Sequence, residues 1–242
     1  ITLGLSAAFG SLLPMAQNPA VFATPAGMVT TLGIAVLLAG VYLCGLAGVR
    51  KDGQIRAAEG KGDELVEAKG SRLLKGLAIV ILAGFLDPCL NFAFAFGDKV
   101  MLEAIAAGAA EVAAPDAIWA LALSGSFVIN VAYCMAKLTR ENNWHKYATP
   151  GTGKNWLLAA LMAAIWMASV TLYGRGATAM GPLGKSVGWG LFYSSIIIFS
   201  TLWGVLSGEW KQGRGRPLYT LFAGLGVLIV AIAILGYGVS LT

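Results

Sequence analysis

The stretch Leu73-Leu74-Lys75-Gly76-Leu77-Ala78-Ile79-Val80-Ile81-Leu82-Ala83-Gly84-Phe85-Leu86-Asp87-Pro88-Cys89-Leu90-Asn91-Phe92-Ala93-Phe94-Ala95-Phe96-Gly97 decides how this chain is read. It is apolar enough to cross a membrane, yet it carries an acid about 14 residues in, which at ~1.5 Å per residue lies ~20 Å deep in a hydrocarbon core ~30 Å thick. A charge at that depth costs at least ~2.5 kcal/mol, so an acid there is read as functional. Pro88 follows directly and takes away the donor that the Gly84 carbonyl would need. Asn91 lies four residues on, on the same helix face. An acid, a helix break and an amide at one depth predict a site for a proton or a polar solute.

Working outward, hydrophobic residues make up 57% of the 242 and charged residues only 12%. No soluble domain of this size covers itself with so little polar surface. The reading is an all-α polytopic membrane protein whose first partner is the lipid bilayer. The net charge of +5 does not indicate nucleic acid, because fourteen of the 17 Lys and Arg fall in three connecting segments, 50–75, 137–154 and 208–217. Only Lys99, Arg175 and Lys185 lie elsewhere. By the positive-inside rule those segments face the cytoplasm. Hydropathy marks seven spans, near 1–15, 26–49, 73–97, 117–137, 155–174, 186–207 and 218–240. The first is short for a crossing. Ile1, with no initiator Met and no charged n-region, reads as a start that lacks N-terminal sequence.

Cys44, Cys89 and Cys134 each fall inside a span without ligand spacing, and read as small apolar packing residues. The single histidine, His145, lies beside Trp144 in a basic loop and reads as interfacial. No phosphate loop, zinc spacing, serine elbow or dinucleotide fingerprint is present, so the sequence points to no enzyme, no metal and no cofactor. Residues 50–75 mix seven basic with five acidic side chains and several glycines, and read as a solvated, flexible cytoplasmic linker. In the outer loop 98–116, the apolar run from Val100 to Ala114 is too short to span and predicts an interfacial or capping helix.

A weak internal repeat predicts two halves. Thr31-Leu32-Gly33-Ile34-Ala35-Val36-Leu37-Leu38-Ala39-Gly40 matches Thr220-Leu221-Phe222-Ala223-Gly224-Leu225-Gly226-Val227-Leu228-Ile229, each in the last span of its half. By the charge rule the two run in opposite directions across the membrane, as in many secondary transporters.

Specific motifs then carry a family resemblance. The run Trp166 … Tyr173-Gly174-Arg175-Gly176 … Met180-Gly181-Pro182 … Trp189 … Ser195-Ile196-Ile197-Ile198-Phe199-Ser200-Thr201-Leu202-Trp203-Gly204 … Glu209-Trp210-Lys211 resembles the C-terminal region of L-rhamnose–proton symporters. Lys75-Gly76-Leu77, Asn91-Phe92-Ala93-Phe94-Ala95 and Gly236-Tyr237-Gly238 are similar too. That family belongs to the drug/metabolite transporter superfamily, whose members have ten helices in two inverted five-helix repeats. The resemblance implies that the chain registers as spans four to ten. Residues 1–49 would then be the last two spans of the first half, 50–72 a basic linker, and 73–242 the second half. Family members move a sugar with a proton through a central cavity, in the bacterial cytoplasmic (inner) membrane. Where they place bulky polar and aromatic residues at the start of the ninth span, this chain has Gly184, Lys185, Ser186, Gly188 and Gly190.

These observations lead to a proton-coupled symporter of a sugar such as L-rhamnose or a related small polar solute. Asp87 is the expected proton carrier. Asn91, Asn130, Tyr133, Trp166, Tyr173, Lys185, Trp189 and Tyr193 are the expected substrate-binding residues, since sugar sites pair aromatic faces with amide and hydroxyl groups. The alternative, suggested by the altered ninth span, is a non-transporting structural subunit of a larger membrane complex, with other membrane subunits as partners.

Overall fold

The structure, a computed structural model, describes residues 2–58, 70–211, 213 and 215–242. Among the described residues there is no strand. Helices α1 (Thr2–Ala16), α2 (Pro25–Ala58), α3 (Gly70–Leu86), α4 (Cys89–Ala95), α5 (Asp98–Ala106), α6 (Pro115–Arg140), α7 (Thr152–Ala179), α8 (Gly184–Leu206) and α9 (Arg216–Ser240) follow in order, with short 3₁₀ turns at Pro19–Ala23 and Trp144–Ala148. Helices α2, α6, α7, α8 and α9, and the stretch Leu74–Ala106, are each long and apolar enough to cross a membrane. The chain is a multi-pass membrane protein. Helix α1, at 15 residues, is shorter than a crossing requires.

Most helices overrun the apolar spans by a few residues. The clearest case is α2, which runs through Arg50, Lys51 and Gln54 to Ala58 instead of yielding to a flexible linker at residue 50. Its end is docked. Arg50 Nη1 donates to Thr220 Oγ1 at 2.6 Å, and Lys51 Nζ lies 4.8 Å from the Trp210 ring centroid, a cation–π distance. Of the rest of the expected linker, 59–69 lies outside the described residues and 70–75 already belongs to α3. The expected short helix in the outer loop forms as α5, nearer the start of that loop.

Two helix ends show how local chemistry stops each rod. Helix α8 ends at Gly208, φ 87°, with Glu209 N–H bonding Gly204 O at 3.0 Å and Gly208 N–H bonding Val205 O at 3.2 Å. Helix α6 ends the same way at Asn142, φ 51°, with Asn143 N–H on Leu138 O at 3.0 Å. Both are left-handed caps that satisfy the last carbonyls, and Asn tolerates that conformation best after Gly.

The chain forms two compact units, one comprising the residues up to Ala95 together with Ala179–Thr242, the other Phe96–Thr178. In the first, α2 and α9 pack antiparallel. A Cβ on Gly33 would lie 2.8 Å from Leu235, on Gly40 2.8 Å from Leu228, on Gly224 2.7 Å from Cys44 Sγ, and on Gly238 2.8 Å from Thr30 Oγ1. The absent side chains let the two backbones approach, the usual basis of helix association where no water drives it. Helix α1 lies against α3 and α8, with the Phe9 and Phe85 rings edge to face at 4.2 Å. In the second unit, the buried residues of α6 (Pro115, Ile118, Trp119) and of α7 (Val170, Tyr173, Gly174, Ala177) sit at one end of each helix.

Candidate proton and solute site

Helix α3 breaks where the sequence predicts. Asp87 N–H closes the last bond of α3 on Ala83 O at 2.9 Å, Pro88 has no N–H to continue the ladder, and Phe92 N–H resumes it on Pro88 O at 2.9 Å. Around this break three helices present residues at four-residue intervals, so that each set shares one face. The break and α4 supply Asp87, Asn91 and Ala95; α1 supplies Ser6 and Gly10; α8 supplies Lys185, Trp189 and Tyr193.

The three sets interlock. The Asp87 carboxylate accepts hydrogen bonds on one oxygen, Oδ2, from both Ser6 Oγ and the Tyr193 hydroxyl. One turn along, Asn91 Nδ2 donates to Gly10 O at 2.8 Å and comes within 3.5 Å of Lys185 O. Lys185 Nζ donates to Ala95 O at 2.9 Å, tying the start of α8 to the end of α4. Trp189 Nε1 donates to Ser6 O at 3.0 Å, and its ring lies 4.8 Å from that of Tyr193. Gly10 makes this last contact feasible. A Cβ there would sit 2.0 Å from Trp189 Nε1, so any side chain would bar the indole from reaching past α1.

Burial is uneven across the cluster. Ser6 and Asn91 are fully buried, Trp189 and Tyr193 nearly so. Asp87 is exposed. Its carboxylate is held from one side by two hydroxyls and remains reachable from the other. A buried amide needs its hydrogen bonds, and Asn91 takes its partners from the backbones of two neighbouring helices. The arrangement places one exposed acid, bound by two hydroxyls, beside a buried amide and a buried aromatic pair.

The family model described as L-rhamnose-proton symport protein matches residues 1–241. The chain belongs to this family. It is 28% identical to the L-rhamnose-proton symporter of Cronobacter sakazakii, over 99% of this chain and 69% of the relative. It is also 28% identical to the L-rhamnose-proton symporters of Yersinia pestis and Yersinia pseudotuberculosis, over 99% of this chain and 70% of each relative. No solved structure matches the chain significantly.

Of the residues singled out from the sequence of this family member, Asp87, Asn91, Lys185, Trp189 and Tyr193 gather in the first unit. The other four belong to the second unit. Asn130 turns back on its own helix, donating to Ser126 O at 2.9 Å and lying 3.1 Å from Ser126 Oγ. Tyr133 and Trp166 are exposed, and Tyr173 is buried against Trp119 with ring centroids 6.0 Å apart. Sequence reasoning missed Ser6 and Gly10. Neither has a distinctive pattern of its own, since a serine and a glycine in an apolar helix are ordinary packing residues until the partner helix is placed.

The second unit also holds an ion pair to which the sequence pattern assigns no role. Arg175 Nη2 lies 2.5 Å from Asp116 Oδ2 and joins the ends of α7 and α6 beside Trp119 and Tyr173. Polar groups in a membrane helix pair with one another where they can, and these two do so.

Proposed function

We propose that this protein is a proton-coupled symporter of a sugar, L-rhamnose or a related small polar solute, acting in the bacterial inner membrane. The single observation that carries the reading is the reachable, doubly hydrogen-bonded Asp87 at a broken helix, in a chain matched along its length by the L-rhamnose-proton symport family. Asp87 takes the proton. Neutralising it lowers the cost of carrying the site through a low-dielectric interior, which is what couples an ion to a reorienting cavity. Trp189 offers an aromatic face, and Tyr193, Asn91 and Lys185 supply hydroxyl, amide and ammonium groups of the kind that bind polyols.

The architecture proposed is that of ten helices in two inverted five-helix repeats. Its support is that the two matching runs, 31–40 and 220–229, lie in helices that pack antiparallel, as repeats of opposite orientation would. In this register residues 1–49 close the first half and 73–242 form the second.

Uptake into proteoliposomes tests the function. With an inward proton gradient, wild-type protein accumulates labelled L-rhamnose, whereas Asp87→Asn loses accumulation and retains exchange of label across the membrane. Gradient-driven accumulation undiminished in Asp87→Asn would overturn the assignment of the proton to this residue.

A further inference from the structure

We propose that Ser6 and Tyr193 are positioning residues that clasp the charged form of Asp87, so that protonation of Asp87 loosens α1 and α8 from the α3–α4 break. This rests on the reading of Asp87 as the proton carrier and adds how the proton's arrival is felt by the helices.

Both hydroxyls converge on one carboxylate oxygen, from two neighbouring helices, α1 and α8. Ser6 is fully buried and Tyr193 nearly so. Hydrogen bonds to an ionised acceptor are roughly twice as strong as neutral ones. Protonation forms one new O–H bond on the carboxylate, the proton coming from water on the reachable side. On Oδ2 the new hydrogen takes the place of one of the two donors; on Oδ1 it turns both charge-assisted bonds into neutral ones. Either way the combined hold of α1 and α8 on the break weakens.

Trp189 makes the two donors act as one. Its indole N–H holds the Ser6 carbonyl while its ring rests against Tyr193, so a shift of either reaches the other. Competing charges are few. Helix α1 carries no titratable side chain, α4 carries Cys89, and α3 has Arg72 and Lys75, fifteen and twelve residues before Asp87. On α8 the other titratable group is Lys185, whose ammonium donates to the Ala95 carbonyl two turns from Tyr193. Among the described residues no cation pairs with Asp87, which leaves the hydroxyls to stabilise its charge.

The test uses the full-length protein in proteoliposomes with two readouts. The first is the pH at which driven uptake of labelled L-rhamnose is half-maximal. Removing a donor weakens the clasp, so Tyr193→Phe and Ser6→Ala each raise that pH by about one unit. Ser6→Cys, a weaker donor, gives an intermediate rise and stands in should Ser6→Ala fail to fold. The second readout is independent of transport. The pH-dependent emission of Trp189, taken as the difference between wild type and Trp189→Phe, follows the same midpoint, moves upward in Tyr193→Phe, and vanishes in Asp87→Asn. Loss of driven uptake in Asp87→Asn with unmoved midpoints in Ser6→Ala and Tyr193→Phe would overturn the clasp while leaving the proton on Asp87. Undiminished uptake in Asp87→Asn would overturn both.

Discussion

The two units are made of apolar helices whose mean hydropathies overlap, yet they use them differently. In the first, a third of the spanning window of α8 and of α9 is buried (33% each), whereas α6 and α7 in the second bury 11% and 17%. Hydrophobicity does not separate them. What separates them is where small residues fall. Gly33, Gly40, Gly224 and Gly238 each face an atom of the partner helix closer than a Cβ permits, while Gly125 of α6 and Gly153 and Gly176 of α7 meet nothing within 4 Å. In a bilayer, lipid tails solvate a leucine as well as another helix does, so close approach and polar pairing decide which faces join. The first unit is held by notches and by the Asp87 cluster. The second is joined at one end by Arg175, Asp116, Trp119 and Tyr173.

The comparison can be broken most severely at Gly224. Valine there would press on Cys44 Sγ at 2.7 Å and on Cys44 N at 2.9 Å, and a backbone atom cannot swing aside. A loss of about 3 kcal/mol is expected, at the upper end of overpacking costs, and is read from thermal unfolding in detergent. Gly10→Ala should come next. The indole of Trp189 has to leave its place over α1, costing about 2 kcal/mol and with it most of the proton-driven uptake. A Gly10→Ala protein of wild-type stability and uptake would show that the Trp189–Ser6 contact is dispensable.

Arg175→Gln addresses the second unit. It removes the charge that pairs with Asp116 and should speed amide exchange at the adjoining ends of α6 and α7, leaving exchange in α2 and α9 unchanged. Equal loosening of α2 and α9 would mean that the two units do not respond separately. The smallest effect is expected at Gly125→Ala, within about 0.5 kcal/mol of wild type, because the new methyl meets open space. A large loss there would place a close neighbour against α6.

Much of the fold and part of the site are legible in the sequence, for physical reasons that vary with the residue. The spans follow from hydropathy because moving apolar side chains from water into lipid outweighs every other contribution in such a chain. The break at Pro88 follows from a missing donor, and the shared face of Lys185, Trp189 and Tyr193 from their spacing of four. The end of α2 is harder to read, since charged residues that suit a linker are also good helix formers, and Arg50 and Lys51 find partners in Thr220 and Trp210. Ser6 and Gly10 are invisible in the sequence because their role belongs to the pair of helices rather than to either segment. Asn130 shows the converse. Its chemistry suits a polar solute, yet its amide is satisfied by Ser126 one turn away, and nothing in composition tells those two fates apart.

The antiparallel pairing of α2 and α9 has a mechanical consequence. Gly33 and Gly40 receive Leu235 and Leu228 about 10 Å apart along the axis, at ~1.5 Å per residue. Sliding one rod past the other would lift both leucines out of their seats at once and drive them against side chains with no room to give. The pair is thus braced against shear like a tongue in a groove. It moves as one beam, so a motion that opens a path for solute is taken up outside the seam between these two helices.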